Sequence, residues 1–414
     1  MPERDAPAAS RESPVASPPP ALSLPRHLYL LVALLIVAHT AFVGIRIATS
    51  LAAIAAGGGA LWVGILTAMF NLVPAFLAIR AGRMVDRMPL RRPLMWGAIA
   101  MAIAGGVAAL QPMLGVLAVA ACVIGVGWMV VAAASQYAIG VFGTEAAQGR
   151  EDAVGPMRVR AFSLMAMGFS VSSFLGPLAA GLLIDRFHYP VTFAALAALA
   201  LLSAAAFSQR RIVRLPSIAN KNPEQPVGSA RELLAQPVVR NTLVTGAFIT
   251  VGWDLYLFMV PVLGSSLGLT ATQIGSVMSA FAAAVFLVRF AMPWLSARLS
   301  ERRVIVSAMV LAGTTFVAFT FAQSYSVMMA LSFVLGLGLG SSQPIVLSLL
   351  HGAAPPNRIG EVNGLRMTMI STSQWTMPLV FGILSAKTGL LPLFLVVGGG
   401  LLTGSWFAKR KLPR

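Results

Sequence analysis

Charge is what this chain has least of. Asp, Glu, Lys and Arg make up 10% of its 414 residues, against about 25% in an ordinary globular domain. A soluble chain 57% hydrophobic in composition has too few polar groups to cover its own surface, which excludes a water-soluble domain with a large core. Acids are scarcer still, at 13 against 30 basic residues. The resulting charge of +17 raises the question of nucleic acid. However, the basic residues sit in short clusters between apolar runs, not on one amphipathic face or among exposed aromatics, so no nucleic-acid partner is expected. Cysteine is nearly absent. Cys122 stands alone inside an apolar run, so one chain can form neither a disulfide nor a thiolate metal cluster. His27, His39, His188 and His351 lack metal-ligand spacing, and no metal or cofactor is expected. The G-x-x-x-x-G-K-[ST] loop of nucleotide-driven machines is also missing, which argues against transport driven by this chain's own ATP hydrolysis.

What is present is long apolar runs. A helix needs about 20 apolar residues to cross a bilayer. Twelve such segments fit: 28–49, 57–80, 94–111, 114–142, 159–184, 190–208, 241–263, 273–296, 304–323, 326–350, 362–385 and 390–408. Lipid offers the backbone no hydrogen-bond partners, so helices are the expected solution. Residues 1–26, rich in Pro, Ala and Ser, are expected to be a disordered tail without the pattern of a cleaved signal. With both termini in the cytoplasm, 26 of the 30 basic residues fall on the cytoplasmic side, leaving Arg46, Arg186, Arg289 and Lys387. The positive-inside rule therefore selects that orientation. Residues 209–240 form the longest polar interval, a cytoplasmic linker with a short surface helix at 229–235. They separate a six-helix half at 27–208 from another at 241–408, and 409–414 end the chain on the cytoplasmic side.

The halves are related. Gly82-Arg83-Met84-Val85-Asp86-Arg87-Met88-Pro89-Leu90-Arg91-Arg92 returns 211 residues later with Arg298, Arg302 and Arg303 in place of Arg87, Arg91 and Arg92. Ala297 replaces Asp86 and Pro293 replaces Gly82. A second pair, Gly176-Pro177-Leu178-Ala179-Ala180-Gly181 and Met377-Pro378-Leu379-Val380-Phe381-Gly382, is offset by 201.

On these features the sequence resembles the major facilitator superfamily of secondary transporters. The family loop is approximately G-x-x-x-D-R-x-G-R-R. Gly82, Asp86 and Arg87 match, Pro89 replaces the second glycine, and Arg91 and Arg92 come one place later. The resemblance implies an all-α membrane protein of two pseudo-symmetric six-helix bundles with a central cavity, not an enzyme. It also implies that the Gly82–Arg92 loop and its copy gate an alternating-access cycle. Gly176, Pro177 and Gly181 resemble a fifth-helix motif of antiporters. The arginine that proton-linked exporters often carry in the fourth helix is missing from Gly125-Val126-Gly127-Trp128-Met129-Val130-Val131-Ala132.

Ionisable groups inside predicted spans are costly and mark functional candidates. Asp254 is the one carboxylate deep in a span, flanked by Trp253 and Tyr256, and is a candidate for proton or cation binding. His39 is a candidate for proton relay. Arg46 and Arg289 are candidates for binding an anion, with snorkelling to the headgroups as the alternative. Asn71, Gln136, Tyr137, Ser172, Ser173, Gln343, Gln374 and Trp375 are candidates to line a cavity. The leading expectation is a monomer in the bacterial inner membrane that moves a small organic molecule by alternating access. Its partners would be the lipid bilayer, the substrate and, as coupling ion, protons, with efflux as the favoured direction. The alternative is proton-driven uptake of an organic anion, contacted by Arg46 and Arg289. From other classes, a transporter-like sensor and a membrane-embedded enzyme remain open.

Overall fold

The computed structural model describes residues 23–147, 150–209, 215, 230–354 and 358–412. Within them are twelve helices and no strand: α1 (Arg26–Ala55), α2 (Gly59–Arg87), α3 (Arg91–Leu110), α4 (Leu114–Glu145), α5 (Glu151–Ser208), α6 (Ala230–Ala235), α7 (Pro237–Ser266), α8 (Ala271–Arg298), α9 (Glu301–Phe319), α10 (Tyr325–Ala353), α11 (Ile359–Thr388) and α12 (Leu391–Lys411). Most of the expected tail and linker lies outside the described residues. The short helix after the linker is α6.

The number of spans is still twelve, because α5 holds two. At 58 residues it would measure about 87 Å if straight, far more than one bilayer crossing. It is broken at His188, whose φ of 61° and ψ of 178° are non-helical. Pro190, two residues on, has no N–H to offer the preceding turn and disfavours helical geometry at Tyr189. The expected loop between the fifth and sixth spans is thus a one-residue break. Tyr189 fastens it by donating its hydroxyl to the Leu51 carbonyl at the end of α1, at 3.2 Å. Elsewhere the helices run past the expected boundaries, as in Arg26–Ala55 against 28–49, because a helix continues through the headgroup layer. Ten of the described helices are long and apolar enough to cross a membrane unaided, with α5 taken as one. α11, which carries Glu361, Asn363, Arg366 and Lys387, is not among them. It packs against α2, α7 and α12 instead.

α1 to α5 form one bundle and α7 to α12 the other. The end holding the starts of α1, α7 and α11 and the finish of α12 is called the terminal end here, and the opposite end the distal end. Two seams join the bundles, α2 with α11 and α5 with α8, and the internal repeat accounts for both. A Cβ on Gly64 in α2 would lie 2.3 Å from the Pro378 carbonyl oxygen of α11, and a Cβ on Gly275 in α8 would lie 2.3 Å from the Pro177 carbonyl oxygen of α5. Gly275 is the 211-residue counterpart of Gly64, and Pro378 the 201-residue counterpart of Pro177. The next turn repeats the relation. Gly181 faces the Ala271 carbonyl oxygen, and Gly382 faces that of Ala60. The second repeated motif therefore builds the two seams, and glycine is needed there because backbones touch. These contacts occupy the distal half, which is closed. Toward the terminal end, Gln136 of α4 and Met367 of α11 are exposed.

The distal end has one further tie. Asp185, near the break in α5, accepts hydrogen bonds from the backbone N–H groups of Ala271 (3.1 Å) and Thr272 (2.8 Å). Those are the first residues of α8, so a carboxylate of one bundle caps a helix N-terminus of the other. Thr270 completes the cap with a box to Gln273.

Candidate functional site

A cavity of about 300 Å³ lies between the bundles, bordered by α1, α2, α5, α7, α8 and α11. Its α1 wall comes from a single helical face. His39, Phe42, Val43, Arg46, Ile47 and Ser50 follow an i, i+3, i+4, i+7 rhythm, which puts them on one stripe.

Two arginines face this space. Arg46 sits nine residues before the end of α1 and lines the cavity. Its guanidinium makes no hydrogen bond to a described residue and lies within electrostatic reach of His39 and Asp254. Arg289 enters from α8 and donates to the Ser170 hydroxyl of α5 at 3.1 Å. That bond crosses the bundle boundary. Neither arginine has a carboxylate within 4.0 Å among the described residues, where the ion pairs of Arg358 with Glu232 and Glu361 are found instead. Among the described residues no Asp or Glu lines the cavity.

His39 is held by its surroundings. Its Nδ1 pairs with the Ser172 hydroxyl at 2.5 Å. Its ring lies 4.6 Å from that of Trp128 and 4.7 Å from that of Phe169 between centroids. Trp253, Tyr256 and Phe281 make the opposite wall. Tyr256 stacks on Phe281 at 4.1 Å and donates its hydroxyl to the Val277 carbonyl at 3.2 Å. Trp253 meets Phe281 edge-on at 5.0 Å. Gln374 of α11, Ser173 and Pro177 also line the space.

Asp254 is buried at 3% exposure and lies behind the wall. Its Oδ2 accepts a hydrogen bond from the Ser373 hydroxyl at 2.5 Å, which joins α7 to α11. Other candidates lie away from this cavity. Asn71 donates to the Gln374 and Thr67 carbonyls, both at 3.4 Å, and so ties α2 to α11. Gln343 accepts from Arg366 at 2.6 Å. Tyr137 and Trp375 are half-buried and do not border the space. The gating candidates are spread along the terminal end. Arg91 donates to the Phe207 carbonyl at 2.8 Å, fastening α3 to the end of α5. Arg92 and Arg303 are exposed and Arg302 is half-buried. Arg298 lies 4.3 Å over the Trp294 ring. Gly82, Asp86 and Arg87 fall in the last turns of α2, but their side-chain environment lies outside the described residues. Gly176 packs on Thr40 and Gly44 of α1.

Sequence reasoning missed Phe42, Ser50, Thr67, Phe169, Ser170 and Phe281 as lining residues, and Asp185 as a tie. Ordinary apolar and hydroxyl residues in apolar runs carry no signature. The stripe from His39 to Ser50 was detectable, because His39 and Arg46 are seven residues apart.

A family model described as the Major Facilitator Superfamily matches residues 28–262 and 242–414. One curated relative, the "Probable sulfoacetate transporter SauU" of Cupriavidus necator, is 26% identical over 138 residues. That match spans 33% of this chain and 32% of the relative, so only about a third of the relative's length is covered. Among solved structures, a mutant of the peptide transporter POT in complex with sulfate is similar with a TM-score of 0.74 at 13% identity, over 93% of this chain and 94% of that one. At that identity the likeness concerns the fold.

Proposed function

The chain belongs to the Major Facilitator Superfamily, and from that premise we propose that it carries a small organic anion across the bacterial inner membrane, coupled to protons and directed inward. The observation behind the reading is the pair Arg46 and Arg289, which face one cavity with no carboxylate among the described residues of its wall. A buried charge costs roughly 2.5–3.5 kcal/mol at a helix centre on insertion scales. Two guanidinium groups retained there with no carboxylate within 4.0 Å among the described residues are accounted for by a ligand that supplies the negative charge. The relative named for sulfoacetate transport agrees in substrate class.

The inward direction rests on the proposed proton coupling, which is needed because of the membrane potential. Bringing an anion into an inside-negative compartment costs about 2.3 kcal/mol per charge per 100 mV. Entering protons offset that cost, whereas anion export needs no such help. His39 in the cavity and Asp254 behind it are the candidate proton carriers. The Gly176–Pro177 element favours export by resemblance. In this chain, however, it and its copy build the two seams, a packing role that does not depend on direction. With the basic terminal end placed in the cytoplasm, the closed distal end leaves a cytoplasm-facing conformation.

Flux of labelled organic acids and cationic drugs into proteoliposomes, with and without an inward proton gradient, tests the proposal. Organic acids should enter faster with the gradient. Arg46→Gln and Arg289→Gln should abolish entry, and Asp254→Asn should remove the gradient's effect. Movement of cationic drugs but not acids, unchanged in the arginine variants, would overturn it.

A further inference from the structure

Resting on the reading that the cavity takes an anion, we infer that the ligand is a short dianion, with one anionic head on Arg46 of the first bundle and the other on Arg289 of the second. The first reason is charge. Among the described residues the cavity wall holds two guanidinium groups and no acid. Asp254, the nearby carboxylate, is behind the wall, bonded to Ser373 through Oδ2, and acts on Arg46 only from beyond 4.0 Å. A single anionic head could neutralise one arginine and would leave the other uncompensated in an apolar enclosure, which is costly. Two heads satisfy both.

The second reason is placement. Arg46 belongs to α1 and Arg289 to α8, so the two cations come from the two bodies that move against each other. Gly44 packs on Gly176, which aligns α1 with α5. Arg46 lies two residues distal of Gly44, and Ser170, the partner of Arg289, lies six residues from Gly176 toward the terminal end. Eight helical rises put the two levels about 12 Å apart along the axis. A helical side chain leans toward its own N-terminus, on α1 the terminal end, so the Arg46 guanidinium approaches the Ser170 level, and the head groups of a ligand take up part of the separation that remains. A guanidinium carries five N–H donors in a fork that matches a carboxylate or sulfonate. Arg289 spends one nitrogen on Ser170 and keeps donors for a ligand.

The third reason is size and wall chemistry. A cavity of about 300 Å³ is at the small end of ligand pockets, which run to roughly 1,000 Å³. Phe42, Phe169, Trp253 and Phe281 line the same cavity and suit a short hydrocarbon spacer. A dianion of this length would draw α1 and α8 together. A monoanion held by one arginine would not.

The test measures binding to the purified full chain in detergent, by thermal shift and by the fluorescence of Trp253 and the other tryptophans. Malonate, succinate and glutarate are compared with acetate, propionate and butyrate at pH 7. At least one diacid should bind tenfold or more tightly than its matched monoacid. Arg46→Gln and Arg289→Gln should each reduce that diacid to the affinity of the monoacid. Arg46→Lys and Arg289→Lys, which keep the charge, should retain part of the preference and guard against loss through misfolding. Equal binding of mono- and diacids by the wild type would overturn the dianion assignment and leave the anion reading standing. Binding of neither class, with binding of organic cations, would overturn both.

Discussion

Replacing Asp185 by Asn should open the distal end. In the described state its carboxylate accepts from two backbone N–H groups at 3.1 and 2.8 Å, across the bundle boundary. Asn keeps one acceptor oxygen and loses the charge. The loss is then one charge-assisted hydrogen bond, nominally about 1.5–3 kcal/mol net, and a helix-terminus interaction of about 0.3–1 kcal/mol. Asp185 is exposed, and exposed ionic interactions are heavily screened, so about 1 kcal/mol is the reasonable total. That converts to about a fivefold shift from distal-closed to distal-open. Labelling reports it. With Cys122 replaced by serine and Ser173→Cys placed in the cavity wall, an impermeant maleimide added on the distal side reacts only with distal-open molecules. The rate should rise about fivefold in Asp185→Asn, and the difference should shrink in high salt as exposed charges are screened. Equal rates in the two proteins at low salt would refute the reasoning and leave the cap as a local helix feature.

Three other expectations follow from the same geometry. Gly275→Ala puts a methyl group 2.3 Å from the Pro177 carbonyl, so transport should fall more than tenfold with membrane insertion intact; a fully active variant would show that the seam need not be tight. His39→Gln keeps a group able to bond Ser172 but no titratable ring, so the pH profile of flux should flatten; an unchanged profile would remove His39 from proton coupling. Arg358→Gln breaks pairs of 2.9 and 2.7 Å with Glu232 and Glu361. The melting temperature should fall, because the first pair ties the short helix α6 to the start of α11; an unchanged melting temperature would mean that other contacts hold that helix.

Much of this molecule was legible in its sequence because the bilayer simplifies the code. Spans follow from apolar length, the halves from the echo of Gly82–Arg92 in Pro293–Arg303, and the short helix before α7 from its position after a polar linker. Arg46, Arg289 and His39 stood out because a lipid-embedded charge or imidazole demands a reason. The break at His188 was not legible. Asp185-Arg186-Phe187-His188 has the polarity of a loop, whereas helical geometry continues through it apart from one residue. The setting of Asp254 was also hidden, because its partner Ser373 lies 119 residues away and a serine in an apolar run announces nothing. Asp185 was passed over because it stands at a span's edge, where an acid is ordinary. Its meaning comes from Ala271 and Thr272, brought beside it by the fold.

The two seams agree in backbone and differ in charge. Counting 201 residues on from Asp185 gives Ala386, which has no carboxylate to offer the start of α2. Separation along α2 and α11 therefore costs packing and the long Asn71–Gln374 hydrogen bond, while separation along α5 and α8 must also draw an acid away from a helix end. Bodies joined by one weaker and one stronger edge do not part evenly. They swing about the stronger one, as a door swings about its jamb. In this chain the jamb is α5–α8: the gap between α2 and α11 widens first, and full opening to the distal side still has to break the cap at Asp185.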